Sequence, residues 1–380
     1  MGAENDSANQ ARVAAVKSAL SGRIDMLPWW QETPTRAPRS PEENQPSCML
    51  ASMKLRAIVS MVAAAALLAA CSSGDDDTAQ DPNKKDGSDL VQISPLTGER
   101  LEDGLPEHAP FAVKIDNTGS AAPQTGLDQA DLVVEETVEG GATRLAAIFY
   151  SQMPESVGHV RSVRATDIGI AKPASAHIVA SGGAPQTFDR LREAEVPIVS
   201  EDGGAGGFSR EAGKAAPYNV LVNLRHLTEQ IGPVRPAVPY LPWAESEEKA
   251  TPAPTPVTAA SVRFSNFHTT EWAHGEGGWT RTNGIAQPEF SARNLLVLFA
   301  DEVDAGYRDP AGNAVPETNF VGSGRAVVFA GGGVIEGTWS KQDHASQIQL
   351  ADGEGKPVEL APGKTWIELV NNSTADVSWR

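Results

Sequence analysis

The apolar run at residues 57–70, which ends Leu68-Ala69-Ala70-Cys71, constrains this chain more than any other feature. Met53-Lys54-Leu55-Arg56 places two positive charges ahead of it, so 53–71 reads as a signal peptide: basic start, apolar middle, small residues before a cysteine. The run is shorter than the roughly 20 apolar residues a membrane-spanning helix needs. Its ending matches a lipobox, in which the Cys71 thiol receives a diacylglyceryl (palmitate-type) anchor on the extracytoplasmic face of the cell membrane. No twin arginine precedes the run, so Sec export is expected. Residues 1–52, polar and rich in Pro, Ser and Glu, fit poorly ahead of a signal peptide, and translation is expected to begin at Met53 or Met49.

The body beyond Cys71 must hold itself together without sulfur. Cys48 and Cys71 are the only cysteines, so the body can build neither a disulfide framework nor a thiolate metal site. A chain of 380 residues, 40% apolar, has enough material for two domains that each bury a core. The net charge is -18; residues 1–70 hold 7 basic and 6 acidic residues, leaving 24 against 43, or -19, for the rest. Such a body repels phosphate backbones, which excludes nucleic acid as a partner. The charge also accounts for solubility and by itself names no ligand.

Composition marks the boundaries. Residues 72–92 are Asp, Ser, Gly, Lys and Pro with little else, a flexible tether. Residues 244–260, acidic and then Pro-rich, form a linker or a long surface loop between an N-terminal part, 93–243, and a C-terminal part, 261–380. In the first part, short apolar runs at 111–115, 132–134, 145–150, 178–180 and 196–200 predict strands, and 163–172, 186–194 and 224–231 predict helices. In the second, runs at 261–267, 295–299, 326–330, 334–341, 348–350 and 365–370 are separated by Gly, Asn and Asp turns. The expected fold is α+β: an N-terminal α/β layered domain followed by a mostly antiparallel β C-terminal domain.

Polar residues collect at the predicted strand ends, where sites form. They are Asp116, Asn117, Asp131, Glu135, Glu139, Arg144, Arg161, Arg164, Arg210 and Asn219. Several lie in motifs: Ile115-Asp116-Asn117, Pro123-Gln124-Thr125-Gly126-Leu127, Thr143-Arg144, Val160-Arg161-Ser162-Val163-Arg164, Gly182-Gly183, Pro217-Tyr218-Asn219, Gly337-Thr338-Trp339-Ser340-Lys341 and Pro362-Gly363-Lys364-Thr365-Trp366. Together they resemble the YerB-like lipoprotein family over about residues 95–380. That resemblance implies an exported lipoprotein with distinct N- and C-terminal parts and no assigned activity. The chain departs from the family pattern at His159, where Pro is frequent, and at Tyr218, where His is frequent.

Three readings of the polar grouping stay open. The arginines could neutralise the carboxylates in a buried ion-pair network, because a planar guanidinium satisfies a carboxylate through two bonds. They could instead line a cleft for an anionic cell-wall or envelope ligand. A hydrolase or transferase could use paired carboxylates as acid and base on a glycosidic or phosphodiester bond, with arginines stabilising charge. No Gly-x-Ser-x-Gly, His-Glu-x-x-His or phosphate-loop motif occurs, and no cofactor or metal is called for. His268 and His274 read as packing rather than ligands. Trp272, Trp279, Trp339, Trp366 and Trp379 read as core, or in part as a platform for sugars.

Overall fold

The computed structural model describes residues 92–380. The expected leader, the signal peptide with Cys71 and nearly all of the tether lie outside the described residues.

Thirteen strands carry the architecture: β1 (Phe111–Asp116), β2 (Leu132–Thr137), β3 (Thr143–Phe149), β4 (His177–Ala180), β5 (Ile198–Ser200), β6 (Ala259–Arg263), β7 (Thr269–Gly275), β8 (Gly278–Arg281), β9 (Asn294–Ala300), β10 (Gly322–Ala330), β11 (Gly333–Lys341), β12 (Thr365–Asn371) and β13 (Asp376–Trp379). Three helices accompany them: α1 (Asp167–Ala171), α2 (Pro185–Glu193) and α3 (Leu224–Gln230). An eleven-stranded sheet runs β11-β10-β9-β12-β2-β3-β1-β4-β5, with Thr255–Pro256 and Gln349–Asp352 both paired to β11. A second, antiparallel sheet runs from Ser291–Ala292 through β8, β7 and β6 to β13.

The two parts of the chain share the large sheet. Its central joint is the parallel pair β12–β2, with Trp366 against Val133 and Glu368 against Glu135. Strands β1 and β9 bury every residue, and such continuous apolar runs need cover on both faces and partners on both edges. Neither half supplies all of that alone.

Side-chain alternation sorts the core into two layers. On one face Val113, Val133, Leu145, Val297 and Trp366 pack against Val262, Trp272 and Trp279 of the second sheet. On the other, Ala112, Val134, Ile148, Leu296 and Ile367 pack against Ile168 and Ile170 of α1, Leu191 of α2, and Tyr240. Both layers draw on both parts of the chain.

The fold is β-rich, and the expected α/β layering of the first part shrinks to helices of 5, 9 and 7 residues. Within the described residues, α2 connects the parallel neighbours β4 and β5 in a βαβ unit. The helix predicted over 163–172 starts late because Val163 N–H bonds Gly182 O (3.0 Å) in extended conformation, and the Asp167 carboxylate caps Arg164 N–H (2.7 Å). Residues 244–260 do not hang free either: Ala244 N–H reaches Leu360 O at 2.9 Å, and Thr255–Pro256 pairs with β11.

Candidate functional site

Strands β1, β4 and β5 are mutually parallel, so their carboxyl ends share one edge of the sheet, where open sheets containing parallel strands place their sites. Strand β1 ends there with Lys114 and Asp116 on the face that also carries α1. Register sets Arg144 of β3 opposite Asp116, and Glu136 of β2 opposite Arg144. The segment after Gly158 is stitched along β1 by Asp116 N–H to His159 O (2.9 Å) and Arg161 N–H to Lys114 O (2.8 Å).

That stitching gathers three arginines. Arg161 Nε lies 2.8 Å from Asp116 Oδ2, Arg164 pairs with Glu139, and Arg144 donates to Ser162 O (3.1 Å) and reaches Glu139 at 3.5 Å. Lys114, fully buried, pairs with Glu136 and with Asp167 (2.6 Å). Burial, the Arg164 charge and then the Arg161 charge bring the Arg144 guanidinium down to about 10, against the pull of Glu139 and Asp116. Burial and the Asp167 charge push the Glu136 carboxyl up to about 7 despite Lys114. The Arg161 side chain, 16% exposed, is the opening of the cluster, and its guanidinium sits 5.0 Å from the Tyr218 ring centre.

The remaining expected residues go elsewhere. Asp131 is a backbone clamp: its buried carboxylate accepts Tyr150 N–H (2.6 Å), Ser151 N–H (2.9 Å) and the Ser151 hydroxyl. Arg210 and Asn219 join each other (3.0 Å) beside Glu201 on a small separate sheet. Asn117 and Glu135 point to the opposite face of the large sheet from Arg144. There Glu135 accepts from Asn117 Nδ2 (2.9 Å), the Thr143 hydroxyl (2.7 Å) and His268 Nε2 (2.7 Å). Asp116 and Glu135 therefore form no carboxylate pair.

Sequence reasoning missed much of this second cluster. Arg281, buried over the Trp366 ring (4.5 Å), bonds Asn117, Gln124 and Glu289. Glu368, fully buried, accepts from Trp272 Nε1 (2.7 Å). A lone carboxylate in the apolar run Thr365-Trp366-Ile367-Glu368-Leu369-Val370 was the available signal, since such a charge demands a partner. His268 and His274 separate: one binds Glu135, the other packs on Trp279 (5.0 Å between ring centres). Trp272, Trp279, Trp339 and Trp366 are buried and offer no sugar platform. Among the described residues no group of three or more His, Cys, Asp or Glu side chains is arranged to hold a metal, and no helix is long and apolar enough to cross a membrane.

Two family models match this chain, the protein of unknown function (DUF3048) N-terminal domain over residues 96–235 and its C-terminal domain over residues 260–367. The chain belongs to the DUF3048 family. It is 29% identical over 294 residues, 73% of this chain and 86% of the other, to the Bacillus subtilis (strain 168) protein named "Putative lipoprotein YerB". The crystal structure of YerB protein from Bacillus subtilis aligns with a TM-score of 0.63 at 26% identity, covering 76% of this chain and 99% of that one. The DUF3048 halves meet the shared sheet from both sides, so the family's two models describe one folded body here.

Proposed function

We propose that this chain is an extracytoplasmic lipoprotein, anchored through Cys71, which binds an anionic cell-envelope ligand at the arginine cluster. The observation that carries the ligand is charge. In a body of strongly negative net charge, Arg144, Arg161 and Arg164 are held together, and burial first, then the Arg164 and Arg161 charges, oppose the ionisation of Arg144 against the pull of Glu139 and Asp116. An entering carboxylate or phosphate would relieve that opposition and take the bidentate contact a guanidinium offers. Arg161 is the residue positioned to meet it first. The name of the Bacillus relative and the lipobox at Cys71 support the anchor. For the hydrolase reading, Asp116 and Glu135 do not serve as the acid and base pair, because they lie on opposite faces of the sheet.

Palmitate labelling of the expressed chain tests the anchor: label enters the wild type and not Cys71→Ser. Co-sedimentation with purified wall sacculi tests the ligand. Arg161→Ala should bind on the order of 10–100-fold more weakly, the loss of one charge-assisted contact, when assayed well below its melting temperature, which falls because Asp116 loses its partner. Equal binding by wild type and Arg161→Ala would remove the arginine cluster from the function.

A further inference from the structure

A separate cleft of about 720 Å³ opens between the Gln92–Ile93/Arg100–Leu101 ribbon, the segment around Trp243 and the strand Gln349–Asp352. Its size falls within the range of small-ligand clefts. Trp243 is its fixed element. Tyr240 N–H bonds Pro95 O (2.8 Å) and Ala244 N–H bonds Leu360 O (2.9 Å), so the chain on either side of the indole is tied to two other segments. The indole Nε1 donates to Pro95 O at 3.3 Å. One side of the ring rests on Gly98, whose φ is +69 and where a Cβ would stand 2.6 Å from Trp243 Cγ. The ring is half-buried and lines the cleft with the rest of its surface.

Planar polar groups share the wall. Gln347 donates to Leu241 O (2.8 Å) and Gln349 donates to Gln347 Oε1 (2.7 Å), a short amide ladder that leaves the Gln349 carbonyl oxygen without a protein donor among the described residues. Arg100, Glu245 and Glu359 supply the charges, and Glu245 is already paired with Lys249. Among the described residues this leaves Arg100 against Glu359, a wall close to neutral, unlike the arginine cluster.

We propose that this cleft binds an uncharged saccharide of two or three rings. A sugar ring has an apolar C–H face, which suits a rigid indole, and vicinal hydroxyls, which suit bidentate amide and carboxylate partners at its rim. A charged ligand would find no excess of opposite charge here. The site is independent of the arginine cluster and of its anionic ligand.

Titration calorimetry of the full chain with chitotriose, cellotriose and maltotriose tests the assignment. At least one neutral trisaccharide should bind, with quenching of tryptophan emission. Trp243→Ala should weaken it about tenfold or more, the equivalent of roughly 1.4 kcal/mol. Because Trp243 also packs against the core, Gln349→Ala and Glu359→Ala, both exposed positions, serve as second variants and should weaken binding several-fold without moving the melting curve. Arg161→Ala should leave sugar binding unchanged. Failure of all three sugars to bind overturns the proposal. Binding that ignores Trp243, Gln349 and Glu359, or that is lost in Arg161→Ala, overturns it equally. So does a proline-rich peptide that occupies the cleft when no sugar does.

Discussion

Glu135 and Glu368 stand directly opposite each other on the neighbouring parallel strands β2 and β12, both fully buried. Two adjacent buried carboxyls cannot both ionise at low cost. Their surroundings divide the roles. Burial alone would raise Glu135, but the hydrogen bond and charge of His268, then Arg281 and Thr143, hold it below the usual carboxylate range. Burial, and next the charge of Glu135, raise Glu368 well above that range. Glu135 is thus the charged member and Glu368 the neutral one, within hydrogen-bonding reach of it.

The asymmetry predicts unequal responses to the same neutral replacement. Glu368→Gln preserves an uncharged donor and acceptor in place and should change stability by about 1 kcal/mol or less. Glu135→Gln removes the charge that His268 and Arg281 face, and should cost on the order of 3 kcal/mol. Urea unfolding of both variants measures the difference. Equal losses would contradict the assignment of the proton.

Glu136 sets a pH dependence. Its folded value of about 7 lies above its ordinary 4.5, so the native state holds more protons than the unfolded chain between those two pH values. Stability contributed by the neutral form is full below about 4.5 and is lost as pH rises through 7. Wild type should therefore lose on the order of 1–3 kcal/mol relative to Glu136→Gln between pH 4.5 and 7.5. Thermal melts at intervals across that range provide the comparison, and parallel curves would count against a neutral Glu136.

Asp131 separates structure from binding. Its carboxylate accepts two backbone N–H groups and a hydroxyl at the end of β3, and Asp131→Asn replaces one acceptor oxygen by a donor. A loss of about 1–3 kcal/mol is expected, with wall binding unaltered once the variant is folded. Sedimentation below the melting temperature gives that second readout, and weakened binding would return Asp131 to the site.

Gly337, in the motif that ends at Lys341, is required by a close approach. A Cβ there would lie 1.9 Å from the carbonyl oxygen of Ala351, backbone that pairs with β11. Gly337→Ala must push the strand Gln349–Asp352 away and should cost about 1–3 kcal/mol. Hydrogen exchange should quicken at Leu350 and Ala351 first. Unchanged protection there would mean the strand moves at no cost.

Most strands were legible because their signal is local. The runs at 111–115, 132–134, 295–299 and 365–370 are apolar enough to identify strands buried on both faces, and the structure places strands over each of them. The polar motifs were legible as candidates for the same reason, and Asp116, Arg144, Arg161 and Arg164 do meet. Glu135 misled because strand parity, not proximity in sequence, decides which face it joins. One residue further along, Glu136 enters the arginine side while Glu135 faces Arg281 and His268.

By itself the sequence determined element type, the family and the absence of any disulfide in the body, since propensity, motif spacing and cysteine count are properties of short windows or simple counts. Tertiary structure alone decided that β12 pairs with β2 and fuses the two parts into one sheet, that Glu368 becomes the partner of Glu135, and that Trp243 fronts the cleft of about 720 Å³. Those outcomes depend on register between strands far apart in the chain. A buried strand's apolar pattern specifies that it must be covered, and leaves open by what.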